Sequence, residues 1–165
     1  MIPELRFPEF SDKWQVKPFD QVFIRVTRKN TENNLNILTI SAQRGLVGQE
    51  KFFSKLVAAK DVTNYYLLYK NDYAYNKSYS NGYPMGAIKR LIEQDKGVVS
   101  TLYICFTAKE KGFENFFDQY FESGAHNAEI SMIAQEGARN HGLLNMGVGD
   151  FFQTSLTIPD SEERK

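Results

Sequence analysis

The groups in this sequence able to do chemistry are two imidazoles, one thiol and a scatter of basic and amide side chains. His126 and His141 are the only candidate imidazole bases, and neither stands in metal-ligand spacing with Cys105 or with a carboxylate cluster. Cys105 lies in the apolar run Tyr-Ile-Cys-Phe, where a buried, inert thiol is expected. Gly45-Leu46-Val47-Gly48 matches neither the phosphate loop of nucleotide hydrolases nor the dinucleotide-binding fingerprint. Acid, base and nucleophile therefore do not assemble from these residues, and no catalytic role, metal or cofactor is expected of the chain itself.

Binding chemistry is better supplied. The formal charge is zero, yet residues 17–96 hold 13 Lys/Arg against 7 Asp/Glu, while residues 97–165 hold 5 against 10. Such segregation suggests two faces with different partners, one of them polyanionic. Seven of the nine tyrosines fall between residues 65 and 83, inside the basic part. Cations interleaved with tyrosine can neutralise phosphates and offer flat, stiff side chains to sugars and bases. Amides and guanidinium groups can read base edges in pairs of hydrogen bonds, so Gln43 and Asn76 suit adenine, and Arg44 and Arg90 suit guanine. Tyr65, Tyr66, Tyr69 and Tyr73 read as strand packing. Tyr79, beside Lys77 in a Ser/Asn/Gly loop, reads as a DNA contact. Lys89-Arg90 fits a solvated strand end or a phosphate contact equally well, and His141 fits a turn-stabilising group or a nucleic-acid contact.

The elements that must position these groups follow from periodicity and punctuation. Pro3 and Pro8 with Trp14 and Phe19 suggest an extended arm and a short helix over residues 1–20, entered near Lys17-Pro18. Val22–Val26 and Ile37–Ile40 read as strands around a turn at 30–34, and Gly45–Gly48 as a tight strand and turn that leaves Gln43 and Arg44 on a connection. Residues 52–59 fit a helix or a loop. Tyr65–Tyr69 and Tyr73–Asn76 read as strands around the turn 70–72, with Tyr73 and Tyr75 on one face. A loop over 77–82 leads into 85–91, and 97–106 is an apolar β run split at Ser100-Thr101. Phe113, Phe116, Phe117, Tyr120 and Phe121 recur at helical spacing and predict a helix with an aromatic core stripe. Residues 128–134 form a weaker helical segment, 138–142 a polar turn, and 151–158 a closing strand ended by Pro159.

These readings give an α+β class: a single domain over residues 1–165 with a mixed or antiparallel twisted sheet and a few short helices. At this length, folding buries roughly two thirds of the chain's potential surface, so a core forms without disulfides. One cysteine suits a reducing compartment, and no stretch approaches the ~20 apolar residues of a membrane span, so a cytoplasmic protein without a membrane partner is expected.

In order and spacing the segments resemble a target-recognition domain of the specificity subunit of type I restriction-modification enzymes. The resemblance is carried by Pro3-Glu4-Leu5-Arg6-Phe7-Pro8-Glu9-Phe10 with Trp14, by Ile40-Ser41 through Gly45, and by Asp72-Tyr73-Ala74-Tyr75-Asn76-Lys77-Ser78. It continues through Gly97-Val98-Val99-Ser100, Leu102-Tyr103-Ile104-Cys105-Phe106 and Gly137-Ala138-Arg139 to Leu144. Thr101 departs from the proline this family often has there. The resemblance implies a non-catalytic domain that reads one half of a split double-stranded DNA target. Methyltransferase subunits using S-adenosylmethionine, and restriction subunits using ATP, would supply the chemistry. It also implies that residues 159–165 begin a spacer helix, the long coiled-coil part of which is lacking here. The DNA contacts it suggests are Gln43, Arg44, Lys77, Ser78, Tyr79, Arg90 and Arg139. The competing expectation is a protein-interaction module that docks a methyltransferase subunit or an inhibitor, with no useful DNA binding of its own.

Overall fold

The computed structural model describes residues 14–41, 45–48, 62–78, 82–136 and 144–159. From the first of these the chain runs as β1 (Gln15–Pro18), a single turn of helix α1 (Phe19–Val22), β2 (Phe23–Arg25), β3 (Leu38–Ser41) and β4 (Gly45–Gly48). Next come β5 (Tyr66–Tyr69), β6 (Tyr73–Asn76), β7 (Ala87–Arg90), β8 (Lys96–Val99) and β9 (Ile104–Ala108). Helices α2 (Glu114–Glu122) and α3 (Asn127–Ile133) follow, then the short pair β10 (Gln135–Glu136) and β11 (Leu144–Asn145), helix α4 (Val148–Phe152) and β12 (Ser155–Ile158).

The centre is a four-stranded antiparallel sheet in the order β2-β9-β6-β7. Strand alternation sorts its side chains cleanly. Tyr73 and Tyr75 of β6, and Ile104 and Phe106 of β9, face the helices and join Phe23, Phe117, Phe121 and Phe151 in the larger core. Ala74 and Cys105, the residues between them, face the other way. There they meet Leu38 and Leu46 of the β3–β4 pair and Leu68 and Val99 of the β5–β8 pair. The architecture is α+β in three layers, with the sheet between helices and two β ribbons. No helix among the described residues is long and apolar enough to cross a membrane.

The two tyrosine strands expected around 70–72 form, but they do not pair with each other. Asn71 adopts φ 77°, and the Asp72 carboxylate accepts from the Tyr69 backbone N–H at 2.9 Å. That turn passes the chain from the β5–β8 ribbon into the central sheet. The aromatic helix also forms: Phe113 stands at its N-cap, and Phe113, Phe117 and Phe121 are buried four residues apart, while Phe116 and Tyr120 are half-buried beside Trp14. Gly124, at φ 82°, separates α2 from α3.

The segment expected to be one strand over 151–158 is a helical turn followed by a strand. Phe151 and Phe152 are both buried, which successive residues of a strand with one solvated face cannot be. In α4 they fan out within the core, Phe151 stacking on Tyr75 at 5.1 Å and Phe152 meeting Phe19 edge-on at 5.4 Å. Thr154 closes the turn by donating to the Phe151 carbonyl at 2.7 Å, and only then does β12 begin. That strand pairs antiparallel with β1 from Gln15↔Ile158 to Pro18↔Ser155.

Candidate nucleic-acid interface

Strand register brings several connections to one end of the molecule. Asn76 of β6 pairs with Ala87 of β7, and Tyr75 pairs with Ile104 of β9, so the β6–β7 connection and the turn before β9 share that end. Strand β3 runs parallel to β8 through the Ile37↔Val98 bridge, and Thr39 Oγ1 lies 3.4 Å from the hydroxyl of Tyr103 in that turn. The Ser41↔Gly45 end of the β3–β4 pair, which brackets 42–44, is therefore directed the same way. The Leu144 N–H at the start of β11 donates to the Lys77 carbonyl at 3.0 Å, bringing the short β10–β11 pair, which brackets 137–143, alongside. Gln43, Arg44, Tyr79, Arg139 and His141 themselves lie outside the described residues, as do residues 52–59.

The described parts of the β6–β7 connection are held firmly. The Asn76 side-chain oxygen accepts from the Ser78 N–H at 3.1 Å, an Asx turn that fixes how the chain leaves β6. Tyr75 donates its hydroxyl to the Met85 carbonyl at 2.6 Å. Gly86 has φ 85°, and a Cβ there would stand 2.3 Å from the Asn76 carbonyl oxygen, so only glycine fits. Tyr83 donates to Glu122 at the end of α2. Lys77 is half-buried, and its ammonium forms no ion pair among the described residues.

Arg90 stands apart from this group. It pairs with Tyr73 at the other end of β7, three residues or roughly 10 Å from Ala87. Its Nε lies 3.0 Å from both Asp118 oxygens, its Nη2 2.6 Å from Oδ2, and its Nη1 donates to the Asn71 side chain at 2.6 Å. With a side chain only 11% exposed, its planar fork is already filled by a carboxylate. The neighbouring Lys89 gives its ammonium to Glu122 at 2.7 Å. The basic strand is thus met by the acidic side of α2, and part of the charge separation along the sequence is neutralised by folding. Asp118 and Glu122, four apart on a predicted helix, were the legible sign of such a face; their partners 28 and 33 residues away were not.

Of the groups weighed for catalysis, Cys105 and His126 are interior. Cys105 is fully buried, and burial pushes its thiol well above the ordinary range. His126 is 1% exposed, and burial lowers its pKa to about 4. Thr154 Oγ1 spends its hydrogen on the Phe151 carbonyl, so the 3.0 Å bond between Thr154 and His126 Nε2 requires the proton on Nε2. Among the described residues, no three His, Cys, Asp or Glu side chains gather in a group suited to a metal ion. Neither any family model nor any curated protein matches this chain.

Proposed function

We propose that this chain is a sequence-specific, double-stranded DNA-binding module that reads one half of a bipartite target within a type I restriction-modification specificity subunit. The observation that carries the reading is the gathering of the strand ends that bracket 42–44, 79–81 and 137–143 at one end of a rigid sheet. Connections presented together on a fixed scaffold can enter a groove as a unit, with phosphate contacts setting register and base contacts choosing sequence. Lys77 and Ser78 stand at that end, Gln43, Arg44, Tyr79 and Arg139 are proposed as contacts from the segments those strand ends bracket, and Arg90 holds α2 to the sheet. Methylation and cleavage would belong to cytoplasmic partner subunits with their own S-adenosylmethionine and ATP. The test is selection from a randomised duplex library at two salt concentrations. Enrichment of a short sequence with a log–log salt slope of about −4 supports the reading; no enrichment refutes it.

One observation favours docking of a protein instead. An open apolar groove of about 340 Å³ lies between Trp14, Phe116, Tyr120 and Thr157, on the helical side of the molecule. In that reading the module holds a methyltransferase subunit or an inhibitor. Capture of the subunit by a protein that enriches no duplex would select it.

A further inference from the structure

Among the described residues, Glu122 is an acid that borders the β6–β7 connection and the cavity beside it. On helix α2, Asp118 is tied to Arg90 at the far end of β7 and Glu122, one turn on, to Tyr83 of the β6–β7 connection. There it edges a cavity of about 110 Å³ that Gly82, Gly86 and Gly124 also line. At Gly82 nothing stands where a Cβ would be, so a ligand edge can come close to the backbone there. The carboxylate is 44% exposed, and its two oxygens are oriented by different donors, Tyr83 on Oε1 and Lys89 on Oε2. Each oxygen accepts two hydrogen bonds, so each keeps one acceptor site while its direction is fixed from the β7 side. Burial raises the carboxyl's pKa, but the bonds from Lys89 and Tyr83 outweigh it and hold the group below its ordinary value, so it stays ionised.

A fixed carboxylate discriminates among base edges. Guanine offers two acceptors in the major groove and thymine an acceptor and a methyl group, so both are repelled or unpaired. Adenine sets its amino group beside the N7 lone pair, which opposes the second oxygen. Cytosine alone shows an amino donor with no acceptor of its own beside it. Resting on the DNA-reading function proposed above, we infer that Glu122 is a specificity-determining residue that accepts from the exocyclic amino group of a cytosine in the major groove.

The experiment compares the parent and Glu122→Gln in duplex selection, with thermal unfolding as the folding control. The parent should select cytosine at one position, and Glu122→Gln, whose amide carries a donor as well as an acceptor and so also suits adenine, should lose that preference for cytosine alone by about five- to a hundredfold. It should also bind random duplex somewhat more tightly, because a negative charge facing phosphates is gone. N4-methylcytosine at that position, which removes the major-groove donor, should weaken the parent and leave Glu122→Gln indifferent. A parent that selects no sequence sinks the DNA reading and this inference together. A parent that selects, with Glu122→Gln selecting the same bases or the methylated duplex binding as well, sinks the inference alone.

Discussion

Arg90→Ala and Lys77→Ala should part company, the first acting on folding and the second on DNA. Arg90 gives up a paired contact to Asp118 and a bond to Asn71, and leaves a carboxylate that is 26% exposed without its cation. Partly buried charge-assisted bonds of this kind lie between an exposed ion pair, at about 0–1 kcal/mol, and a broken buried pair, at about 3–5 kcal/mol. A loss of about 2 kcal/mol is expected, which lowers the melting temperature of a chain this long by roughly 4–8 °C. Lys77 has no such partner among the described residues, so its removal should leave stability within about 0.5 kcal/mol. If its ammonium neutralises one phosphate, the salt slope falls by about 0.9, equal to a roughly fivefold weaker affinity at 0.15 M salt, similar for every duplex. Circular dichroism melts and anisotropy titrations of a labelled duplex at three salt concentrations give all four quantities. The reasoning fails if Arg90→Ala melts like the parent and loses a unit of salt slope, or if Lys77→Ala binds like the parent.

Gly86→Ala should cost more than Gly112→Ala, since both have positive φ but only Gly86 meets backbone, and the difference in urea midpoints should be on the order of 1 M. For His126 the folded pKa of about 4 lies below the ordinary 6.5, so its contribution is intact above pH 6.5 and is lost as the pH falls toward 4. Urea unfolding across that window should show a decline of roughly 3 kcal/mol that His126→Gln abolishes; the same slope in both proteins would refute the assignment. Cys105, buried with its thiol held protonated, should resist iodoacetamide in the native protein and react once unfolded.

Elements written in local periodicity were legible, and pairings set by distant residues were not. Tyr73 and Tyr75 announced a one-faced strand, and the Phe113–Phe121 stripe announced a core helix, because period alone decides which face is apolar. Phe151-Phe152 misled because two adjacent aromatics fit a strand run as well as a helical turn; the stack on Tyr75, far back in the sequence, decided it. The sheet order, with β9 between β2 and β6, has no local signature. At the candidate interface, the polar run after Asn76 was readable as a connection leaving β6. The withdrawal of Arg90 was not, since a guanidinium suited to guanine is equally suited to a carboxylate, and only the fold supplies Asp118.

The pairing of β1 with β12 has a consequence for how this unit can travel between proteins. Gln15 and Ile158 are cross-strand neighbours, so the incoming and outgoing chains stand about 5 Å apart. A host polypeptide would meet a seam no wider than a hairpin's. Exchange of everything between those two residues for another sequence of the same shape would leave the host's geometry untouched, and under the function proposed above the choice of sequence would move with it as a cassette.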